Sequence, residues 1–156
     1  MRHHGFPSPL LDWTESAFVA AYFAYIDSEE RNPAIFCYIE RPTLVKGGSV
    51  GRPGITLMGK YVTTHKRHFA QKAHYTVATQ WHSDTEKHWF CSHEEVFKKN
   101  NPTQDLLFKF ILPISQRATV LAQLNQYNIN HFTLFQSEDS LIKALATKEF
   151  DLDGVG

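Results

Sequence analysis

The sequence predicts an α+β fold, a single domain with a mixed or antiparallel sheet and flanking helices. Three observations carry this. The apolar stretch Ala17–Ile26 lies just behind helix-start residues and reads as a buried helix. The segments Ala34–Glu40 and Leu106–Leu112 are β-branched and aromatic, stand beside prolines, and read as strands. Helical and extended segments then alternate irregularly, which suits α+β better than a regular βαβ series. A chain of 156 residues is about one domain long, with the domain over 1–150 and a frayed tail over 151–156.

Taken in order, Asp12 is placed to cap a helix over Thr14–Asp27, with Glu15 three residues on, a capping-box spacing. Because Ala17–Ile26 is apolar almost all round, this helix is expected to be largely buried. The polar run Asp27–Pro33 ends it. Residues 41–58 hold four glycines and Pro53 and read as a long loop. Thr64–Lys72 reads as a short helix, and His74–Gln80 alternates as a strand does. Residues 81–104 are mixed, with a short helix over His93–Lys99. Ser115 is expected to cap a helix to Tyr127 that faces Ala118, Leu121, Leu124 and Tyr127 inward. Ile129–Phe135 reads as extended. Ser137 caps a last helix with Leu141, Ile142 and Leu145 on one face.

Composition narrows the function classes. Apolar residues make up 42% and aromatics 13%, enough for a packed core. Sixteen Lys and Arg balance sixteen Asp and Glu, which argues against a general polyanion binder relying on excess cations. The longest apolar run is about half a membrane span, and no signal-peptide pattern opens the sequence. The chain reads as soluble and cytoplasmic, with no membrane partner. Two cysteines, Cys37 and Cys91, supply neither a disulfide framework nor a four-cysteine zinc site. Nine histidines would make the chain positive on mild acidification.

Three clusters could carry chemistry. The densest is Arg2–Ala24, where His3 and His4 precede Gly5, then Asp12 and Trp13, then the aromatic helix. The bland reading is that Asp12 caps, Trp13 fills core and the histidines bond backbone. The second is His65–Thr76. Here His65 and His68 share a helix face but lack a third metal ligand at standard spacing, so no metal site is expected. Arg67 and Gln71, four apart, also share a face. Arg67 suits bidentate contact with phosphate or carboxylate, and Gln71 both donates and accepts. The bland alternative is a solvated face. The third cluster, His82, Asp84, Glu86, His88, His93, Glu94 and Glu95, could supply an acid or base, but reads more simply as a polar loop. Walker, dinucleotide-fingerprint and nucleophile-elbow motifs are absent from the sequence.

Those clusters, in that order, resemble the FRG domain family. The family's His-His/Tyr-Gly-x-Pro-Thr-Arg-Leu-Leu-Asp-Trp-Thr block is similar to His3–Thr14, continuing to Ala21-Tyr22-Phe23-Ala24. Its later Arg-x-x-x-Gln-x-Gly-x-Phe-Thr element is similar to Arg67–Thr76, with Ala73 for the glycine and Tyr75 for the phenylalanine. Its closing strand, helix, Thr-Leu-Phe and helix resemble Leu106–Phe150. Ser8-Pro9 stands where the family has Thr-Arg, which removes a cation. The naming motif is not among the 156 residues, so the domain is expected to lack it. The family occurs in bacteria and phages, which implies a defence- or toxin-related role.

A more distant similarity runs to ADP-ribosyltransferases. It implies NAD as ligand, with His4 or the arginine of the absent naming motif holding the dinucleotide, Tyr22 near nicotinamide and Gln71 orienting the ribose or acceptor. The expected site therefore comprises His4 and Gln71 as catalytic residues, with His3, Asp12, Trp13, Tyr22 and Arg67 binding ligand. Two further readings stand beside it. One is a non-catalytic module that binds protein or nucleic acid. The other is a remnant domain without function.

Overall fold

Ser16, rather than Asp12, starts the first helix. The computed structural model describes residues 8–40, 51–58, 66–99 and 105–151. Leu10–Thr14 forms strand β1, and α1 runs Ala17–Ile26. The Ser16 side chain accepts from the Val19 amide, as an N-cap does. The expected start at Thr14 with Asp12 as cap is therefore corrected. The Leu-Leu-Asp-Trp-Thr segment pairs into a sheet, and an extended Asp12 cannot reach the amides of a helix that begins five residues later.

Among the described residues the strands are β1, β2 (Ala34–Glu40), β3 (Pro53–Met58), β4 (Ala73–His82), β5 (Lys87–Phe90) and β6 (Asp105–Ile111). Strand β4 lies between β1 and β3 and also pairs with β5, while β2 pairs with β6. The β3–β4 and β4–β5 pairings are antiparallel, so the α+β class holds. Further helices among the described residues are α2 (Lys66–Ala70), α3 (His93–Lys99), α4 (Arg117–Gln126), α5 (His131–Phe135) and α6 (Glu138–Ala146).

Four expectations change. The second half of the expected 41–58 loop is strand β3, because Ile55 is a core residue that a loop would leave wet. Residues 41–50 lie outside the described set. Ser115 sits in a 3-10 turn, Ile114–Gln116, and gives α4 no side-chain cap. Tyr127 is exposed while Leu121 and Leu124 are buried. Ile129–Phe135 is not extended, since Asn130 and Thr133 form a capping box that starts α5. Residues 152–156 of the expected tail lie outside the described residues.

The chain forms two compact units. Unit one takes 1–13, 37–61 and 74–108, and unit two takes 14–36, 62–73 and 109–156. The core of unit one is Ile55, Ala78 and Val96, with Tyr38, Cys91 and Phe97 packed against it. The core of unit two is Val19, Tyr22, Tyr25, Leu121, Leu124 and Leu134. Helix α1 is thus buried along one stripe and not all round. Phe23 is 39% exposed, because 3.6 residues per turn carries it off the Val19–Tyr22–Tyr25 face, and Phe18, in the first turn, is 58% exposed against the exposed Tyr127 ring. Arg117 ties α4 to the end of α1 by donating to the carbonyls of Tyr25 and Ile26. Those carbonyls lie in the last turn of α1, beyond its regular bonding, and the Tyr25 carbonyl also accepts from the Ser28 amide at 3.2 Å.

Candidate functional site

The polar groups of unit two converge on α5. Asn130 caps this short helix reciprocally: its side chain accepts from the Thr133 amide at 3.0 Å, and the Thr133 hydroxyl accepts from the Asn130 amide at 3.1 Å. Gln136, in the left-handed region with φ 51°, ends it. This local geometry fixes His131 as the first helical residue.

His131 is held on two sides. Its Nδ1 lies 3.1 Å from the Tyr22 hydroxyl, and its ring stacks on Phe135 with centroids 4.4 Å apart. Burial pushes the His131 pKa down, Lys143 and Arg67 add to this, and Asp27 opposes it. Burial, with Asp27 adding, pushes the Tyr22 pKa up to about 12. The phenol is therefore protonated and the imidazole neutral near pH 7. When the hydroxyl donates to Nδ1, the ring proton resides on Nε2. His131 and Tyr22 line a recess together with Leu121, Asn125, Ile129 and Asn130. Its volume is about 10 Å3, room for roughly one water.

Arg67 and Gln71 approach α5 from its other end. Arg67 Nε donates to the Phe135 carbonyl at 3.0 Å, and its guanidinium carbon stands 5.4 Å from the centre of the Phe135 ring. Gln71 Nε2 donates to the Leu134 carbonyl at 3.1 Å. These carbonyls have no partner within so short a helix, and a cation at a helix C-terminus also favours its dipole. The Gln71 carbonyl in turn accepts from the Thr14 hydroxyl at 2.6 Å.

Unit one holds a separate polar chain. Trp13 Nε1 donates to the Thr76 hydroxyl at 2.7 Å, and that oxygen lies 2.8 Å from His93 Nε2. Thr76 is fully buried, so this chain satisfies groups that burial would otherwise leave unbonded. The Trp13 ring packs 5.5 Å from Tyr38, which stands edge-on to Phe97.

Of the residues proposed from sequence, Tyr22, Arg67 and Gln71 meet around α5. Trp13 belongs to the chain of unit one, and Asp12 is exposed on β1. His3 and His4 lie outside the described residues. Sequence reasoning missed His131 and Phe135, although the Asn130-x-x-Thr133 spacing signals a helix start directly before them. From the acid–imidazole cluster, His82 comes within 4.0 Å of Asp84 at an exposed turn, while His93 joins Thr76. Among the described residues no group of three or more His, Cys, Asp or Glu could hold a metal ion. None of their helices is long and apolar enough to cross a membrane.

A family model described as the FRG domain matches residues 1–33, a segment that takes in Asp12, Trp13, Tyr22 and all of α1. No curated protein and no solved structure matches the chain.

Proposed function

We propose that this chain is an FRG-type domain that recognises a nucleotide, and that the Tyr22–His131 pair forms one polar edge of the contact. The observation that carries the reading is the 3.1 Å bond from Tyr22, inside the FRG-matched segment, to His131, which lines the recess. Tyr22 pins Nδ1 and Phe135 fixes the ring plane. Nε2 then remains to donate to one acceptor oxygen, such as a phosphate or a nucleobase carbonyl. Asn125 lines the same recess; its Oδ1 accepts from Asn130 Nδ2 at 3.1 Å, which leaves its amide nitrogen as a donor.

NAD is the first nucleotide to test, since the distant transferase resemblance implies it. The recess admits one water-sized group and not a dinucleotide. NAD would therefore touch this edge through a single oxygen, and no transfer step follows from the described residues. Tyr22 is 3% exposed, so its part here is to hold His131 and not to stack on the ligand.

A second reading, a non-catalytic interaction module, is favoured by the bonds of Arg67 and Gln71 to the carbonyls of α5. Those bonds give both side chains a structural task. Calorimetric titration of NAD into the wild-type chain and His131→Phe separates the two. Saturable binding that His131→Phe weakens supports nucleotide recognition. Absence of heat with either protein supports the module.

A further inference from the structure

The recess beside His131 keeps hydrogen-bonding capacity that the protein does not use, and most of it is donor capacity. Asn125 Oδ1 accepts from Asn130 Nδ2 at 3.1 Å, and Asn130 Oδ1 accepts from the Thr133 amide at 3.0 Å, so both side-chain oxygens are engaged. The side-chain nitrogen of Asn125 has no partner among the described residues, and neither has the hydroxyl of Thr147, which lines the same recess. His131 Nε2 carries the ring proton once the Tyr22 hydroxyl donates to Nδ1. An amide nitrogen and an imidazole N–H only donate, and a threonine hydroxyl rotates to donate.

The charge around His131 has the same bias. Lys143 and Arg67 act on the ring as cations, and Asp27 is the opposing anion. Arg67 stays bonded to the Phe135 carbonyl, while Lys143 is exposed. The space itself, about 10 Å3, takes one oxygen-sized group.

We propose that this group is an oxygen of the nucleotide's phosphate, which His131 Nε2 and Asn125 Nδ2 bind, with Thr147 giving a third bond. The proposal rests on the nucleotide reading above and fixes which end of the nucleotide enters. A base edge alternates donors with acceptors, so in this recess one of its N–H groups would meet another N–H and stay unbonded. A ribose hydroxyl is neutral and gains nothing from the two cations. A phosphate oxygen only accepts, and its charge strengthens every bond it receives.

Calorimetric titration of adenosine 5′-monophosphate, adenosine and inorganic phosphate into the full chain is the test, at about pH 7.5, where a monoester phosphate is mostly dianionic. The monophosphate binds. Adenosine binds at least about tenfold more weakly, since it lacks the charged acceptor. Inorganic phosphate also binds more weakly, since it lacks the rest of the nucleotide. The decisive variant is Asn125→Asp, which keeps an oxygen for Asn130 and turns the donor into a negative acceptor. It weakens the monophosphate at least about tenfold and leaves adenosine unchanged. Thr147→Val keeps the shape and weakens the monophosphate by about threefold, and it carries the test if Asn125→Asp fails to fold.

Adenosine that binds as tightly as the monophosphate, with both lost in His131→Phe, overturns the proposal and leaves the nucleotide reading standing. A folded Asn125→Asp chain that binds the monophosphate as well as the wild type, or better, also overturns it, because the entering group then donates. Inorganic phosphate that binds as tightly as the monophosphate overturns the nucleotide reading and leaves a site for free phosphate. A chain that binds none of the three overturns both.

Discussion

The Tyr22 hydroxyl and His131 Nδ1 lie 3.1 Å apart across 109 residues of sequence. Tyr22 belongs to the buried stripe of α1, and His131 opens α5. Each makes the other's burial tolerable, because a phenol or an imidazole nitrogen taken out of water without a partner is costly. Tyr22→Phe keeps the ring and removes this bond. We expect a loss of about 1–2 kcal/mol in chemical denaturation, with the far-ultraviolet spectrum unchanged.

The same pair gives a pH dependence whose direction follows from burial. The folded-state pKa of His131 is depressed below its ordinary value, so the unfolded chain binds its proton first as pH falls. The contribution to stability is complete above roughly pH 6.5, the unfolded value, and is lost as pH falls below it. Tyr22 acts at the other end. Its raised pKa makes its contribution complete below roughly pH 10 and lost as pH rises towards about 12. Melting temperatures measured from pH 5 to pH 8 should therefore rise with pH, and His131→Phe should flatten that rise.

Arg67 and Gln71 bond to backbone carbonyls of α5, so removing either loosens the helix that carries His131. Gln71→Ala should cost about 1 kcal/mol, the worth of one such bond. Arg67→Ala should cost more, since a charged donor and the Phe135 ring contact are lost together. Hydrogen exchange is the direct readout: the amides of Leu134 and Gln136 should lose protection in both variants.

In unit one, Thr76 links Trp13 to His93 and is fully buried. Thr76→Val keeps the shape and orphans the indole N–H. We expect a cost of about 1–3 kcal/mol. Trp13→Phe in the Thr76→Val background should cost less than in the wild type, since the orphaned donor is then removed. Equal costs in the two backgrounds would show that the bond contributes nothing.

At the start of α1, Ser16→Ala should cost about 1 kcal/mol through loss of the cap. Asp12→Ala should cost less, because Asp12 is exposed on β1 and the helix starts beyond it.

The segments legible in the sequence were those with one dominant local signal. Ala34–Glu40 is β-branched, proline-bounded and forms β2 as expected, and His93–Lys99 forms α3. Ser137 caps α6 with Ser140, as the sequence predicted for that serine. Misreadings arose where two local signals competed. Asp12-x-x-Glu15 mimics a capping box, but sheet pairing of Leu10–Thr14 takes Asp12 out of the helix. Asn130–Phe135 carries β-prone Phe and Thr, and the capping box outweighs them in so short a segment.

The candidate site was legible only in part, because its two halves lie far apart in the chain. Tyr22, Arg67 and Gln71 could be singled out by residue type. Their convergence on α5 depends on the packing of α1 and α2 around that helix, which no local pattern encodes. The outward turn of Leu141, Ile142 and Leu145 was likewise unreadable, since periodicity says which residues share a face and not which way that face points.

In the proposed reading, His131 Nε2 donates to a nucleotide at the recess that His131 lines. Isothermal titration of NAD into the wild-type chain, with His131→Phe and Tyr22→Phe beside it, tests this most directly. We expect saturable binding by the wild type, a clear loss in His131→Phe, and a smaller loss in Tyr22→Phe, where Nε2 remains but the ring is less firmly held. Equal binding by all three folded proteins, or no binding by any of them, would contradict it.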